Sequence, residues 1–241
     1  MVINLKPSAL SGTVPLALQP KAFTRKAIML LKPVFLLPAT TLSVFFSRIH
    51  SSYEKNYKSA NVITFQAIEQ AAALFENAVF AMDRGYDDNK MFIKLDKLKQ
   101  DYVIRLTSKR KLLYHNKWIP ATQLRDRRKG KIKTGVFYKG KDHDAYLSHA
   151  RVRITASRKN INLVLIYGIT EHPMMLATNK EIKSKDDVVH VARIYFSRWK
   201  IEEYFRCKNQ MFQFENFRVR KLRAINALIT KIGRASCRER V

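Results

Sequence analysis

The most informative stretch of the sequence is Ala78-Val-Phe-Ala-Met82, an apolar run that ends at Asp83. A short apolar run bounded by polar residues predicts a buried strand, and Asp83 then lies at its carboxyl end. Arg84-Gly85-Tyr86 is predicted to turn the chain, because glycine adopts backbone conformations that other residues avoid. The stretch therefore predicts a carboxylate held at the end of a core strand.

Regular elements are predicted on both sides of this strand. Apolar residues at helical spacing indicate a helix over Ser59–Phe75. A second helix is predicted to end near Leu98, and its cap candidates are Asp87, Asp88 and Asn89. Further strands and a hairpin are predicted over Asp101–Leu106, Leu112–Trp118 (the hairpin, turning near Asn116), Tyr146–Ala156, Asn162–Gly168 and Met174–Thr178. The segment Gln123–Lys141 is dominated by charge, and the mixture indicates an α/β fold.

A long helix is predicted to follow the last strand. Ser184 and Asp187 have the spacing of a capping box, and apolar residues continue beyond them for several turns. Tyr195, Arg198 and Glu202 are three and four residues apart, which places them on one helix face. This face is either a solvated Arg–Glu pair, or a metal-binding carboxylate beside groups that contact phosphate.

The overall charge favours a polyanionic partner. The 241 residues include 46 Lys and Arg against 19 Asp and Glu, a net charge of +27. Because 46% of the residues are apolar, a disordered basic tail is excluded. Nucleic acid is the first candidate partner, and a basic protein that merely stays soluble is the alternative. The two cysteines exclude a disulfide framework, no Cys/His spacing indicates zinc, and a reducing cytoplasm is expected.

Two of these stretches resemble a known family. Met82-Asp83-Arg84-Gly85-Tyr86-Asp87 resembles the D-x-G-[YF] motif of insertion-sequence transposases. Tyr195-x2-Arg198-x3-Glu202 resembles the Y-R-E-K signature of the "insertion sequence four" group of DDE transposases. The flanking stretches Trp199–Arg206 and Phe214–Arg220 agree, and the resemblance covers about residues 50–230. The sequence is therefore interpreted as a truncated DDE transposase.

The resemblance implies a ribonuclease H-like catalytic core, with a β-rich insertion at about 101–180 between the second and third catalytic carboxylates. It implies cleavage of transposon ends that depends on Mg²⁺ or Mn²⁺, followed by joining of the freed 3′-OH to target DNA. By motif position, Asp83 is the second metal-binding catalytic carboxylate and Glu202 the third, and Tyr195 and Arg198 contact DNA near the cut phosphate. The implied partners are transposon-end and target DNA and a second copy of the chain, as a homodimer on DNA. No membrane is expected to be involved, and the implied location is the bacterial cytoplasm, in association with the nucleoid.

The sequence departs from the family pattern in two places. The family's lysine lies seven residues after the glutamate, where this chain has Asn209. Lys208 lies one residue early, roughly 100° around the helix, and Arg206 lies nearer the face, so both are candidate DNA-binding residues. No aspartate precedes Asp83, and the first acid of the chain, Glu54, lies in a predicted surface turn. With the first catalytic aspartate missing, the chain is predicted to bind DNA but to cleave it poorly. The alternatives are a non-catalytic DNA-binding remnant of a transposase, a nonspecific basic binding protein, and a metal-dependent nuclease on the same fold.

The two ends of the chain are set apart from residues 49–231, the partial catalytic domain. Ile28–Phe46 is apolar enough to suggest a membrane span, but a lysine and two prolines interrupt it. A transit peptide is a second interpretation of residues 1–48. A wrong reading frame is the favoured one, because the missing aspartate belongs upstream. Residues 232–241 back-translate into a sequencing adapter and are interpreted as a cloning or assembly scar.

Several other residues have two interpretations. Trp118 is interpreted as hairpin packing, with stacking on a nucleic-acid base as the alternative. The basic runs Lys109–Lys111 and Arg125–Lys133 are either solvated faces or phosphate contacts. The histidines show no pairing that suggests a metal site, and Cys207 is interpreted as a buried structural thiol.

Overall fold

The structure is a computed structural model that describes residues 2–5, 23–30, 43–51, 58–75, 78–155 and 160–199, with isolated helical positions at 202, 206, 210, 223, 224, 227 and 231. The chain divides into two compact units. The first comprises Met1–Leu74 together with Ile201–Val241, and the second comprises Phe75–Lys200. The predictions about Glu54, Cys207, Lys208 and the 232–241 scar lie outside the described residues.

The first unit contains a small sheet and one described helix. Strands β1 (Val2–Leu5), β2 (Phe23–Leu30) and β3 (Ser43–Ser51) form an antiparallel sheet in the order β1-β2-β3. Helix α1 spans Ala60–Leu74, close to the predicted bounds, and buries one apolar face. None of the three strands contains an Asp or Glu. In the described part of the chain, no helix is long and apolar enough to cross a membrane.

The second unit is built around one eight-stranded sheet with three helices. The elements are β4 (Val79–Met82), α2 (Asn89–Lys97), β5 (Asp101–Arg105), β6 (Lys111–Tyr114), β7 (Lys117–Pro120), α3 (Ala121–Arg127), β8 (Ile132–Tyr138), β9 (Lys141–Ile154), β10 (Ile161–Tyr167), β11 (Met174–Thr178) and α4 (Lys185–Ser197). The strand order is β4-β5-β11-β10-β9-β6-β7, and β8 pairs with β9. β4 and β5 are parallel, and the other pairs are antiparallel.

The register defines two faces of this sheet. The front face carries Val103, Leu147 and Leu176, which form one buried apolar cluster with α4. The back face carries the alternate residues, including Tyr102, whose ring meets Phe92 of α2 edge-on at 5.4 Å between centroids. Helices therefore cover both faces of the sheet, which explains why β10 and β11 are almost wholly apolar.

The predicted helix starts and hairpin are confirmed. Asp88 is the cap of α2 and accepts a hydrogen bond from Lys90 N at 3.1 Å. Ser184 and Asp187 form the capping box at the start of α4. The β6–β7 hairpin turns at His115 and Asn116, both with positive φ (47° and 61°), as expected for a tight two-residue turn.

Three sequence expectations differ from the structure. The charged segment Gln123–Lys141 contains the end of α3 and all of β8, because every second residue of β8 is available for burial against α4. β9 begins at Lys141 rather than Tyr146, since pairing with β8 extends it through a polar stretch. α4 ends at Ser197 with a turn at Arg198, although Trp199 and Glu202 are again helical. Trp118 lies in the β6–β7 hairpin opposite Leu113, and its side chain is 51% exposed, so hairpin packing and base stacking both stay open.

Candidate functional site

Asp83 lies where the sequence predicts it, directly after the buried strand β4. Its carboxylate caps the short 3-10 turn Arg84–Tyr86 by accepting a hydrogen bond from Arg84 N. The turn is closed by Tyr86 N donating to Asp83 O at 3.0 Å and Asp87 N donating to Arg84 O at 3.2 Å. Asp83 makes no other hydrogen bond or ion pair within the described residues, so its second carboxylate oxygen is available to a ligand.

The loop that carries Asp83 is fastened to the segment after β5 through Asp87. The Asp87 side chain is 0% exposed and is ion-paired with Arg110. Its carboxylate accepts hydrogen bonds from Thr107 N (2.7 Å), Thr107 Oγ1 (2.8 Å) and Arg110 Nε (2.8 Å). Arg110 also donates to Asn89 Oδ1 at 2.6 Å. Asp87 is one of the predicted helix-cap candidates, but its carboxylate instead holds the Asp83 loop in place.

Arg105 is the nearest neighbour of Asp83 across the sheet. The parallel register pairs Met82 with Ile104, so the next residues of the two strands, Asp83 and Arg105, lie side by side at the carboxyl ends. Arg105 is half-buried and forms no ion pair within the described residues. Arg105 carries no local signal in the sequence, and only the parallel pairing of β4 with β5 aligns it with Asp83.

Tyr195 of α4 lies close to Asp83 and Arg105. Burial raises the pKa of the Tyr195 phenol, and Asp83 raises it further, whereas Arg198 and Arg105 lower it. Burial and then Asp83 also raise the pKa of Tyr86. The Asp83 carboxylate therefore lies within electrostatic reach of both phenols, and both remain protonated hydrogen-bond donors at neutral pH.

Tyr195 and Arg198 contact each other, as their helical spacing predicts. The guanidinium carbon of Arg198 is 5.6 Å from the centroid of the Tyr195 ring. The two side chains are only 2% and 7% exposed. The Tyr195 hydroxyl is buried without a hydrogen bond of normal geometry in the part of the chain that the structure describes, although Arg105 lies near enough to lower its pKa. A buried hydroxyl with poorly satisfied hydrogen bonds is costly, so this O–H is suited to donate a hydrogen bond to an oxygen of a ligand.

The remaining predicted residues belong to the first unit or lie outside the described residues. Glu202 is helical and half-buried, and Arg206 is helical and exposed. Within the second unit, the structure thus brings Asp83, Tyr195 and Arg198 together.

The donor set fits part of a magnesium site. Across residues 58–75, 78–155 and 160–199 and the isolated positions beyond them, no three His, Cys, Asp or Glu side chains gather in a metal-binding cluster. Proteins commonly bind Mg²⁺ through only one or two carboxylates, and substrate phosphates and water complete its shell. Asp83, with one free carboxylate oxygen at a strand end, is suited to supply one such ligand.

The sequence matches the transposase DDE domain family over residues 26–237, which is most of the chain. This chain belongs to the transposase DDE domain family. No curated protein matches the chain. The predicted resemblance to DDE transposases is confirmed at this level, and the mixed α/β fold with a mostly antiparallel sheet fits the core of a DDE transposase. DNA is the substrate that this family membership implies, and divalent metals are the family's general cofactors.

Proposed function

We propose that this DDE-domain chain is the catalytic part of an insertion-sequence transposase of the "insertion sequence four" group, with a ribonuclease H-like core. Its reaction is metal-dependent cleavage of transposon ends and strand transfer into target DNA. The observation that carries the proposal is the convergence of Asp83, Arg105 and Tyr195 where β4 and β5 end and α4 arrives. In this proposal, residues of about 101–180, which hold β5–β11, are the β-rich insertion between the second and third carboxylates.

The proposed metal ligands are Asp83 and Glu202, with Mg²⁺ or Mn²⁺ as the cofactor. A divalent ion in such a site stabilises charge on the phosphate and activates the attacking oxygen. The protein's own contribution is to hold the Asp83 carboxylate still. Asp87 and the 3-10 turn do this by fixing both ends of a five-residue loop.

The proposed DNA contacts lie on either side of Asp83. Arg105 forms no ion pair in the described part of the chain, and its guanidinium has five donors, so it can bind a phosphate beside Tyr195. The protonated Tyr195 hydroxyl donates to a phosphate oxygen, and Arg198 packs on the Tyr195 ring and fixes its position. Arg206 and Lys208, which follow Glu202, are proposed as additional contacts to the DNA backbone.

Cleavage by this chain is predicted to be weak. A family member needs a first aspartate upstream of Asp83, and the described strands β1, β2 and β3 contain no acid. The interpretation of residues 1–48 as a wrong frame, and of 232–241 as a scar, stays a prediction. We further propose that the transposase acts as a homodimer on DNA in the bacterial cytoplasm, in association with the nucleoid.

A plasmid nicking assay in Mn²⁺ tests the proposed chemistry. The expected result is slow nicking that needs the metal, that Asp83→Asn abolishes, and that the exposed-carboxylate control Asp142→Asn leaves unchanged. Nicking that survives Asp83→Asn would overturn the proposed role of Asp83. Robust nicking would overturn the prediction that the missing aspartate limits activity, and DNA binding with no nicking would favour the non-catalytic remnant. Strand-transfer products would exclude a simple nuclease.

A further inference from the structure

A second basic surface lies on the front face of the sheet, at the edge opposite β4. The register pairs Leu113 with both Trp118 of β7 and Arg153 of β9, so these three side chains form one row across three strands. Trp118 is half-exposed and Arg153 is exposed, although both stand on a regular sheet. The half-exposed indole therefore presents an aromatic face to solvent beside a cation, which is the combination that binds a stacked base and its phosphate.

The charge of this surface is of one sign. His149, Arg151 and Arg153 alternate along β9 with buried residues, so all three side chains emerge on the front face. Lys111 of β6 joins them on the same side of the sheet. The sequence has no acid in 111–120 or 145–155. Arg151 and Arg153 form no hydrogen bond or ion pair through their side chains within the described residues, so their charges are not neutralised there.

This surface is separate from the candidate site on the same face of the sheet. β5, β11 and β10 lie between β4, which ends at Asp83, and β9. Neighbouring strands are about 4.8 Å apart, so the two lie on the order of 20 Å from each other. The second surface therefore requires a partner of its own or a distant part of the same DNA.

We propose that Trp118, Leu113, Lys111, His149, Arg151 and Arg153, here named the β6–β9 surface, bind single-stranded DNA. An unpaired base stacks on the Trp118 indole, and the basic row along β9 binds the adjoining phosphates. Single strands fit this surface better than duplexes. In a duplex each base is already stacked between its neighbours, so only an unstacked base can stack on the Trp118 indole. The row of cations repeats at every second residue, roughly 6.8 Å along the strand, and so tracks an extended backbone.

The opposite face of the β8–β9 hairpin provides a matched comparison. Phe137 and Tyr146 are exposed there. Register places Phe137 opposite Asp142, and Lys133 is ion-paired with Asp144 at 2.9 Å. That aromatic surface is interleaved with acids, so it lacks the charge complementarity of the β6–β9 surface for nucleic acid. Phe137→Ala is therefore the control for Trp118→Ala.

The test is equilibrium binding of the full chain to a labelled 12-nucleotide single strand and to the corresponding duplex, in EDTA at about 0.2 M salt. Trp118→Ala is expected to weaken single-strand binding about fivefold or more, with little effect on the duplex, while Phe137→Ala changes neither. Arg151→Ala/Arg153→Ala is expected to lower the single-strand salt slope by about 1.4, and more than Lys90→Ala/Lys97→Ala on exposed positions of α2.

Three outcomes would overturn the proposal: unchanged single-strand binding by Trp118→Ala, an equal loss on duplex, or an equal effect of Phe137→Ala. Circular dichroism of each variant verifies that the fold is retained, and Trp118→Phe, which keeps an aromatic face, should restore much of the affinity. Because EDTA removes the metal, failure of the proposed cleavage chemistry leaves this result unaffected.

Discussion

Replacement of Arg105 tests whether phosphate binds beside Asp83, at the carboxyl ends of β4 and β5. Arg105→Ala is expected to weaken duplex DNA binding about fivefold to tenfold and to reduce the salt slope by about 1, because one phosphate contact is lost. Arg105→Lys should retain part of the affinity. The matched control is Arg193→Ala, an exposed cation of α4. Equal losses from Arg105→Ala and Arg193→Ala would show that DNA responds only to net charge.

Removing the Tyr195 hydroxyl should affect stability and DNA binding differently. Tyr195→Phe is expected to leave the free energy of unfolding unchanged or to raise it by up to about 1 kcal/mol, because a buried hydroxyl without a partner is removed. DNA binding should fall, since the proposed donor to phosphate is gone. Urea unfolding and a binding titration measure the two effects. A marked loss of stability would mean that the hydroxyl already has a partner inside the chain.

Asp87 is expected to be the most costly single polar change near the site. Asp87→Asn removes the charge that faces Arg110 and leaves a buried guanidinium unpaired, which should lower the free energy of unfolding by about 2–5 kcal/mol. Asp126→Asn is the control, because its pair with Arg125 is exposed and should contribute about 1 kcal/mol or less. Urea denaturation of the two variants measures the difference, and similar losses would contradict the fastening role of Asp87.

Helix α4 is stabilised by the capping box at its start, and low pH should weaken this cap. Hydrogen bonds from the backbone of Lys183 and Ser184 and from the Ser184 hydroxyl lower the pKa of Asp187. A carboxylate with a lowered folded-state pKa stabilises the fold above its unfolded value, near 3.9, and this stabilisation is lost as pH falls through the folded value. The difference in stability between the parent chain and Asp187→Asn should therefore shrink below about pH 4. A difference that stays constant through acid unfolding would contradict the cap's contribution.

Elements with a strong local signal could be predicted from the sequence. β10 and β11 are continuous apolar runs, and the capping box marks the start of α4. β8 and the beginning of β9 could not, because their formation depends on pairing with each other and on burial of alternate residues under α4.

The same distinction applies to the candidate site. Asp83 follows a strand that the apolar run predicts, and the spacing of Tyr195 and Arg198 is enough to place them on one helix face. Arg105 joins them only through the register of two parallel strands, and Asp87 finds Thr107 and Arg110 only through the loop packing. Contacts that cross between elements carry no local sequence signal, which is why these partners were missed.

At the scale of the whole molecule, the excess of positive charge is itself a source of instability. A net charge of +27 on 241 residues means that most cations have no acid to pair with, and their mutual repulsion opposes compaction. Salt shortens the range of this repulsion to about 10 Å at 0.1 M. The same excess of positive charge attracts a polyanion, so bound DNA and added salt should both stabilise the fold, while salt weakens the complex.

The thermal midpoint of the free chain is therefore expected to rise between about 0.05 and 0.5 M NaCl. In the presence of DNA, the midpoint should instead fall over the same range as counterions compete for the basic surfaces. Differential scanning calorimetry of the chain with and without a short duplex measures both trends. A midpoint of the free chain that falls with salt would mean that local pairs such as Asp87–Arg110 outweigh the net repulsion. Parallel trends with and without DNA would mean that the charge excess does not drive binding.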